Sequence, residues 1–218
     1  MIKAVIFDMD GLMIDTEKLL VKYWLEAAHD YGYDLKREHI LGIRSLAAKY
    51  AIPKLQAEIG KDFDYYKVRT LRIQLMNQHI NTYGLDEKPG LGELLDYLKE
   101  HKYLTAVATA TDPERTKQYL GSLDRLKYFD QIVCASMVQN GKPAPDIYLE
   151  AAARLHVHPS ECMALEDSPN GILSAYRAGM YPVMIPDLSE PDEDTKKLLY
   201  ECTDHLSKVI KLLENCKL

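Results

Sequence analysis

The chain has 218 residues, 47% hydrophobic and 28% charged, with 33 acidic against 27 basic side chains and a formal net charge of -6. Such a composition excludes a disordered chain and allows one large α/β domain, or a core carrying a modest inserted one. The acidic balance excludes a general polyanion-binding surface, so nucleic acid is not an expected partner; a phosphate-bearing ligand needs local positive potential from a metal ion, a lysine or helix N-termini.

Residues 3–7 are a short apolar run ending at Asp8, the pattern of a buried strand that delivers a carboxylate at its C-terminal end. The start of the chain has no apolar segment followed by a small-residue cleavage site, and no run approaches membrane-spanning length, so a cytoplasmic protein without a membrane partner is expected. From Thr16 the character changes. Leu19, Leu20, Tyr23, Trp24 and Ala27 recur at helical spacing, Leu71, Leu75 and Ile80 do so again, and Asp62 is the expected N-cap of the last helix in this stretch. Residues 16–85 therefore read as an inserted helical domain, with 1–15 and 86–218 forming the core.

After Pro89-Gly90 helices and strands alternate. Strands are expected at 103–109, 131–135, 162–165 and 182–185, and helices at 91–99, from Asp112-Pro113, at 146–155 and at 170–178. The acidic 190–194 segment reads as a solvated loop entering a C-terminal helix. This alternation specifies an α/β fold, a Rossmann-like parallel sheet with helices on both faces, which binds ligands at the carboxyl ends of its strands. Cys134, Cys162, Cys202 and Cys216 form no CxxC pair and are expected as reduced thiols. His156 and His158 have no Cys or carboxylate at ligand spacing, so zinc is not expected there.

Four short segments carry chemistry, and each also has an ordinary structural meaning. In Asp8-Met9-Asp10-Gly11 one carboxylate can attack phosphorus while the other protonates the leaving oxygen, although Asp and Gly also mark plain turns. Thr109-Ala110-Thr111 offers hydroxyls and backbone N–H groups to a phosphoryl oxygen, yet a threonine before a helix is commonly an N-cap, Thr111 above all. Lys142, between Gly141 and Pro143, is a compact cation that a loop can aim, or a surface lysine. Glu166 and Asp167 either attract magnesium together with Asp8 and the Asp10 carbonyl, or belong with Ser168 to the cap of the helix near Pro169. All four segments fall at strand ends on one edge of the expected sheet, and that convergence favours the chemical reading.

In that order the segments resemble the motifs of the haloacid dehalogenase superfamily, and FDMDGLMIDTE, GKPAPDIY and LEDSPNGI look like its branch of β-phosphoglucomutases and related phosphatases. The resemblance implies Asp8 as nucleophile and Asp10 as acid/base, with Thr109, Ala110 and Lys142 on the transferring phosphoryl group. It further implies Mg2+ held by Asp8, Asp10, Asp167 and Glu166, the last directly or through water. Arg44, near Gly42 in an interhelical connection, is the candidate for the remote end of the substrate, against the alternative of a solvated surface arginine. The second aspartate points to phosphate chemistry rather than dehalogenation, and Leu20 stands where the mutase branch carries a histidine, which favours hydrolysis of a small phosphorylated metabolite over mutation. A binding protein of the same fold is the remaining alternative, but it has no need to keep Asp8, Asp10, Lys142 and Asp167 together. Oligomeric state is open, a monomer being consistent with the sequence.

Overall fold

The computed structural model describes residues 1–216. In chain order its principal elements are β1 (Ala4–Phe7), α1 (Glu17–Asp30), α2 (Arg37–Leu41), α3 (Ala48–Ile59), α4 (Tyr65–Tyr83), α5 (Leu91–Glu100), β2 (Leu104–Thr109), α6 (Pro113–Ser122) and β3 (Gln131–Cys134). There follow α7 (Asp146–Arg154), β4 (Cys162–Glu166), α8 (Pro169–Arg177), β5 (Tyr181–Met184), α9 (Glu193–Lys196), β6 (Glu201–Cys202) and α10 (Lys208–Asn215). The strands form one parallel sheet in the order β3-β2-β1-β4-β5-β6.

Strand residues alternate between two faces, and the sequence sorts them by size. Val5, Phe7, Val107, Met163 and Leu165 point to one side, where Leu91, Leu94 and Leu98 of α5 and Val209 and Leu213 of α10 cover them. Ala4, Ile6, Ala106, Ala108 and Ala164 point to the other, against Ala151 and Ala152 of α7 and Ala175 of α8. Alanine on both sides of that interface lets α7 and α8 lie close to the sheet, and so fixes the loops that precede them. The described helices include none long and apolar enough to cross a membrane.

The four helices between β1 and α5 gather a separate apolar cluster around Trp24, Leu55, Phe63 and Val68. Their two connections to the sheet run side by side: Ile14 and Glu87 form an antiparallel bridge, Asp15 N–H donates to Asp86 O at 2.9 Å, and Lys88 N–H donates to Met13 O at 2.9 Å.

Three expectations require correction. The N-cap of α4 is Asp64, whose carboxylate accepts from Lys67 N–H at 3.1 Å; Asp62 lies two residues earlier, its carbonyl accepting from the Tyr33 hydroxyl. The buried stripe of α4 is Tyr65, Val68, Arg72, Met76 and Ile80, with Leu71 and Leu75 only partly covered. Beyond 190, Asp192 caps the four-residue α9 and the chain then adds the edge strand β6, because Tyr200 N–H and Thr203 N–H donate to Pro182 O and Met184 O of β5 at 2.8 and 2.9 Å.

Candidate active site

The carboxyl ends of β1, β2 and β4 bring the four chemical segments together. Asp8 follows β1 directly, its N–H held by Leu165 O at 3.0 Å, and its side chain is buried. Lys142 reaches it from the loop before α7. That ammonium is 1% exposed and donates to an Asp8 oxygen, to Ala108 O at 2.9 Å and to Glu166 Oε1 at 2.6 Å. It is therefore an aimed cation and not a surface lysine. Burial opposes its charge, but the Asp8 and Glu166 carboxylates outweigh that cost and raise its pKa. Asp8 shows the converse: burial pushes its pKa well up, with Glu166 and Asp167 adding to the rise and Lys142 working against it.

Asp10 is held at both oxygens, by the Thr16 hydroxyl on Oδ1 at 2.7 Å and the Thr111 hydroxyl on Oδ2 at 2.7 Å. Thr111 is consequently not the cap of α6. Asp112 takes that task, accepting from Arg115 N–H at 3.0 Å. Thr109 is fully buried and its oxygen accepts from Thr111 N–H at 3.0 Å, which leaves its own proton free to donate. Ala110 lines the cavity in front of Asp8 and Asp10.

Glu166 and Asp167 end β4. Glu166 Oε1 accepts from Lys142 and, at 2.6 Å, from the Tyr148 hydroxyl, and its carboxylate lies so near α8 that a Cβ at Gly171 would come within 2.0 Å of it. Ser168 is the actual cap of α8, accepting from Gly171 N–H at 3.1 Å. Asp167 faces Asp8, and Gly11, with φ +83°, closes the turn so tightly that a Cβ there would sit 2.3 Å from Asp167 Oδ2. Burial raises the Asp167 pKa well above the usual carboxylate range, Arg44 opposing the rise.

Arg44 is not a solvated surface residue. It is 4% exposed, its Nη2 meets Asp167 Oδ2 and donates to Asp167 O at 3.2 Å, and its Nε lies 3.1 Å from Glu17 Oε2. One guanidinium thus faces two buried carboxylates, and burial keeps the Glu17 pKa raised to about 8 despite it. The inserted helices and the sheet together enclose a cavity of about 460 Å3 lined by Asp8, Asp10, Arg44, Ala110 and Thr111. Sequence reasoning missed Thr16, Glu17, Thr111 as a partner of Asp10, Tyr148, and Asp187, which accepts from Lys88 at 2.6 Å. Tyr148 is the last residue of the GKPAPDIY segment, and Thr16 and Glu17 close the FDMDGLMIDTE segment; Thr111 and Asp187 had no signal beyond a polar residue near a strand end or helix start.

Asp8, Glu166 and Asp167 each offer an oxygen, all within 4.8 Å of one another. Asp167 Oδ1 is buried without a hydrogen-bond partner. Three buried carboxylates against Lys142 and a shared Arg44 leave an excess of negative charge, and an all-oxygen donor set of this kind suits a hard divalent cation. The residues fit a metal.

A parallel α/β sheet with a carboxylate-rich, cation-ready cleft at its C-terminal edge, roofed by inserted helices, is the architecture of a hydrolase. The chain belongs to the haloacid dehalogenase-like hydrolase family, whose pattern matches residues 5–185. It is 34% identical over 180 residues to the phosphorylated carbohydrates phosphatase of Thermotoga maritima, with 82% of each chain covered. To the β-phosphoglucomutase of Bacillus subtilis it is 29% identical over 189 residues, covering 83% of this chain and 82% of that one. The fold matches the crystal structure of a β-phosphoglucomutase from Clostridium difficile with a TM-score of 0.83 over 99% of this chain and 96% of that one, at 22% identity.

Proposed function

We propose that the chain is a Mg2+-dependent phosphatase that hydrolyses a small phosphorylated metabolite, a sugar phosphate in class, through an aspartyl-phosphate at Asp8. The observation that carries this reading is the meeting of Asp8, Asp10 and Lys142 with a buried carboxylate set at one end of the sheet. An Asp8 oxygen attacks phosphorus and the ester P–O bond breaks, the leaving alkoxide taking a proton from Asp10. Water then attacks the aspartyl-phosphate as Asp10 takes its proton, releasing phosphate and restoring both carboxyl groups. The Thr16 and Thr111 hydroxyls keep Asp10 in line, since each can donate to the carboxylate or accept from the acid.

Asp8, Asp167 and the Asp10 carbonyl would hold Mg2+, which supplies positive charge against the phosphoryl oxygens. Glu166, tied to Lys142 and Tyr148, positions the lysine and completes the negative shell around the metal. Lys142 counters the charge gathered between Asp8 and the phosphoryl group, and Thr109 and Ala110 line its path. Residues 16–85 act as a cap over the core of 1–15 and 86–218, turning on the paired connections at Ile14 and Glu87 and excluding bulk water when closed.

The likeness to a phosphatase at 34% identity, and Leu20 lining the cavity where the mutase branch carries a histidine, favour hydrolysis over transfer to a second sugar hydroxyl. Phosphate release from a panel of sugar phosphates, alditol phosphates and small phosphorylated acids tests the reading. Incubation with β-glucose 1-phosphate and a catalytic amount of the 1,6-bisphosphate separates the alternatives. Conversion to glucose 6-phosphate with little free phosphate would identify a mutase instead.

A further inference from the structure

The inserted helices contribute a cation that phosphoryl transfer leaves without a task. Arg72, in the middle of α4, is 6% exposed and lines the cavity that contains Asp8 and Asp10. Its guanidinium lies over the Trp24 ring, 5.4 Å from the centroid, and Nη1 meets Met76 Sδ at 3.9 Å. Nε is buried with no hydrogen-bond partner. The other buried arginines have carboxylates: Arg44 has Glu17 and Asp167, and Arg115 has Asp112. Among the described residues Arg72 has no carboxylate within ion-pair distance, only the weaker attraction of Asp10 across the cavity.

A buried cation without a counter-charge is costly, and an aromatic face compensates only part of that cost. The surroundings sharpen the conflict, because Arg69 and Arg115 line the same cavity and repel Arg72. Burial, reinforced by that repulsion, lowers its pKa to about 10, so the group still carries its charge at neutral pH. The nearby Tyr119 hydroxyl, whose pKa burial and Asp10 raise against the opposing pull of Arg115 and Arg72, is also buried without a partner. Arg115 is balanced by Asp112, and the pull of Asp10 across the cavity is weaker than the repulsion from Arg115 and Arg69, so Arg72 has no ion-pair partner on the cap side of the cavity.

We infer that the substrate carries a second anionic group besides the phosphate presented to Asp8, and that Arg72, with Arg69 beside it, binds that group. The guanidinium fork suits a carboxylate or a phosphate equally, and a cavity of about 460 Å3 has room for a small metabolite spanning both ends. The substrate class is then a doubly anionic phosphomonoester. The inference rests on the phosphatase reading and refines it.

The test uses matched esters: glycerol 3-phosphate against 3-phosphoglycerate for a carboxylate, and fructose 1-phosphate against fructose 1,6-bisphosphate for a second phosphate. Phosphate release gives kcat/KM for the wild type, Arg72→Met and Arg72→Lys. Titration calorimetry gives Kd for the same four esters on Asp8→Asn and on Asp8→Asn/Arg72→Met, reading binding without turnover. In at least one pair the doubly anionic ester should be preferred about tenfold or more. That ratio should fall to about one in Arg72→Met and be partly kept in Arg72→Lys, and the responding pair identifies the anion. No preference in either pair, or a ratio that Arg72→Met leaves unchanged, overturns the inference and leaves Arg72 as packing for Trp24. If Arg72→Met does not fold, Arg69→Gln and Arg72→Lys supply the comparison, a lowered ratio supporting the inference and an unchanged one overturning it. Turnover of p-nitrophenyl phosphate with no discrimination within either pair removes the inference alone. No phosphate release from any ester, with the binding preference intact on Asp8→Asn, removes the phosphatase reading alone.

Discussion

Replacing Lys142 by methionine, a side chain of similar length without charge, probes both the stability and the chemistry of the cleft. The ammonium is 1% exposed and donates to Asp8, Ala108 O and Glu166. Its removal leaves two buried carboxylates without their cation, a loss of about 3–5 kcal/mol for a broken buried pair, and frees a buried carbonyl. The carboxylates can relieve part of this by taking up a proton. With Lys142 gone, burial and the neighbouring Glu166 and Asp167 act on Asp8 unopposed, so its folded-state pKa lies further above the unfolded value. A carboxyl group raised in the folded state contributes stability that is present at low pH and is lost as pH rises through the folded pKa. Urea unfolding in chelator should therefore show Lys142→Met destabilised by about 3–5 kcal/mol at pH 7.5 and by clearly less at pH 5.5. Phosphate release should fall by about a hundred- to a thousand-fold, from a protonated nucleophile and a missing charge on the phosphoryl group. A penalty under about 1 kcal/mol at both pH values, or near-normal turnover, would refute the description of Lys142 as the cleft's buried counter-ion.

Other perturbations read the same network. Asp8→Asn should abolish turnover while leaving the metal-free protein at least as stable as wild type, since it removes one of three clustered charges; retained turnover in the folded variant would show that Asp8 is not the nucleophile. Chelation should stop phosphate release and added Mg2+ restore it, and Mg2+ should raise the melting temperature of the wild type but not of Asp167→Ala; an equal rise in both would place the ion elsewhere. Because the Glu17 pKa is raised to about 8 by burial, its proton is held in the folded state, and the stability this contributes is lost as pH rises through that value. Glu17→Gln should accordingly raise the urea midpoint of the metal-free protein at pH 9 and change it little at pH 5, a uniform decrease at both counting against the buried-acid description.

The fold was legible wherever a local pattern decides the structure. Residues 3–7 and 162–165 read as strands because they are short apolar runs cut off by carboxylates, and the same carboxylates marked the functional edge of the sheet. Where backbone pairing alone makes an element, the sequence carries little signal. β6 is two exposed residues, Glu201 and Cys202, specified by hydrogen bonds to β5 and not by any apolar pattern. The site divides in the same way. Asp8, Asp10, Lys142, Glu166 and Asp167 stand out through their spacing from strand ends, but what holds them in place is tertiary. Thr111 resembles any residue before a helix until Asp10 is seen beside it, 101 positions away in sequence. Arg44 resembles a surface arginine until its 123-residue separation from Asp167 is closed by the packing of the inserted helices on the sheet. Arg72 is harder still, sitting in a largely polar helix where only its missing partner distinguishes it.

The measurement that bears most directly on the phosphoryl-transfer account is trapping of the intermediate. In Asp10→Asn, p-nitrophenyl phosphate needs no acid to assist its leaving group, so Asp8 should still be phosphorylated, while water attack on the intermediate lacks its base. Acid quenching followed by mass spectrometry of proteolytic fragments should find one phosphoryl group added at Asp8, and none when Asp8→Asn is combined with Asp10→Asn. Steady phosphate release with no phosphorylated fragment, or a phosphoryl group on another residue, would contradict an aspartyl-phosphate at Asp8.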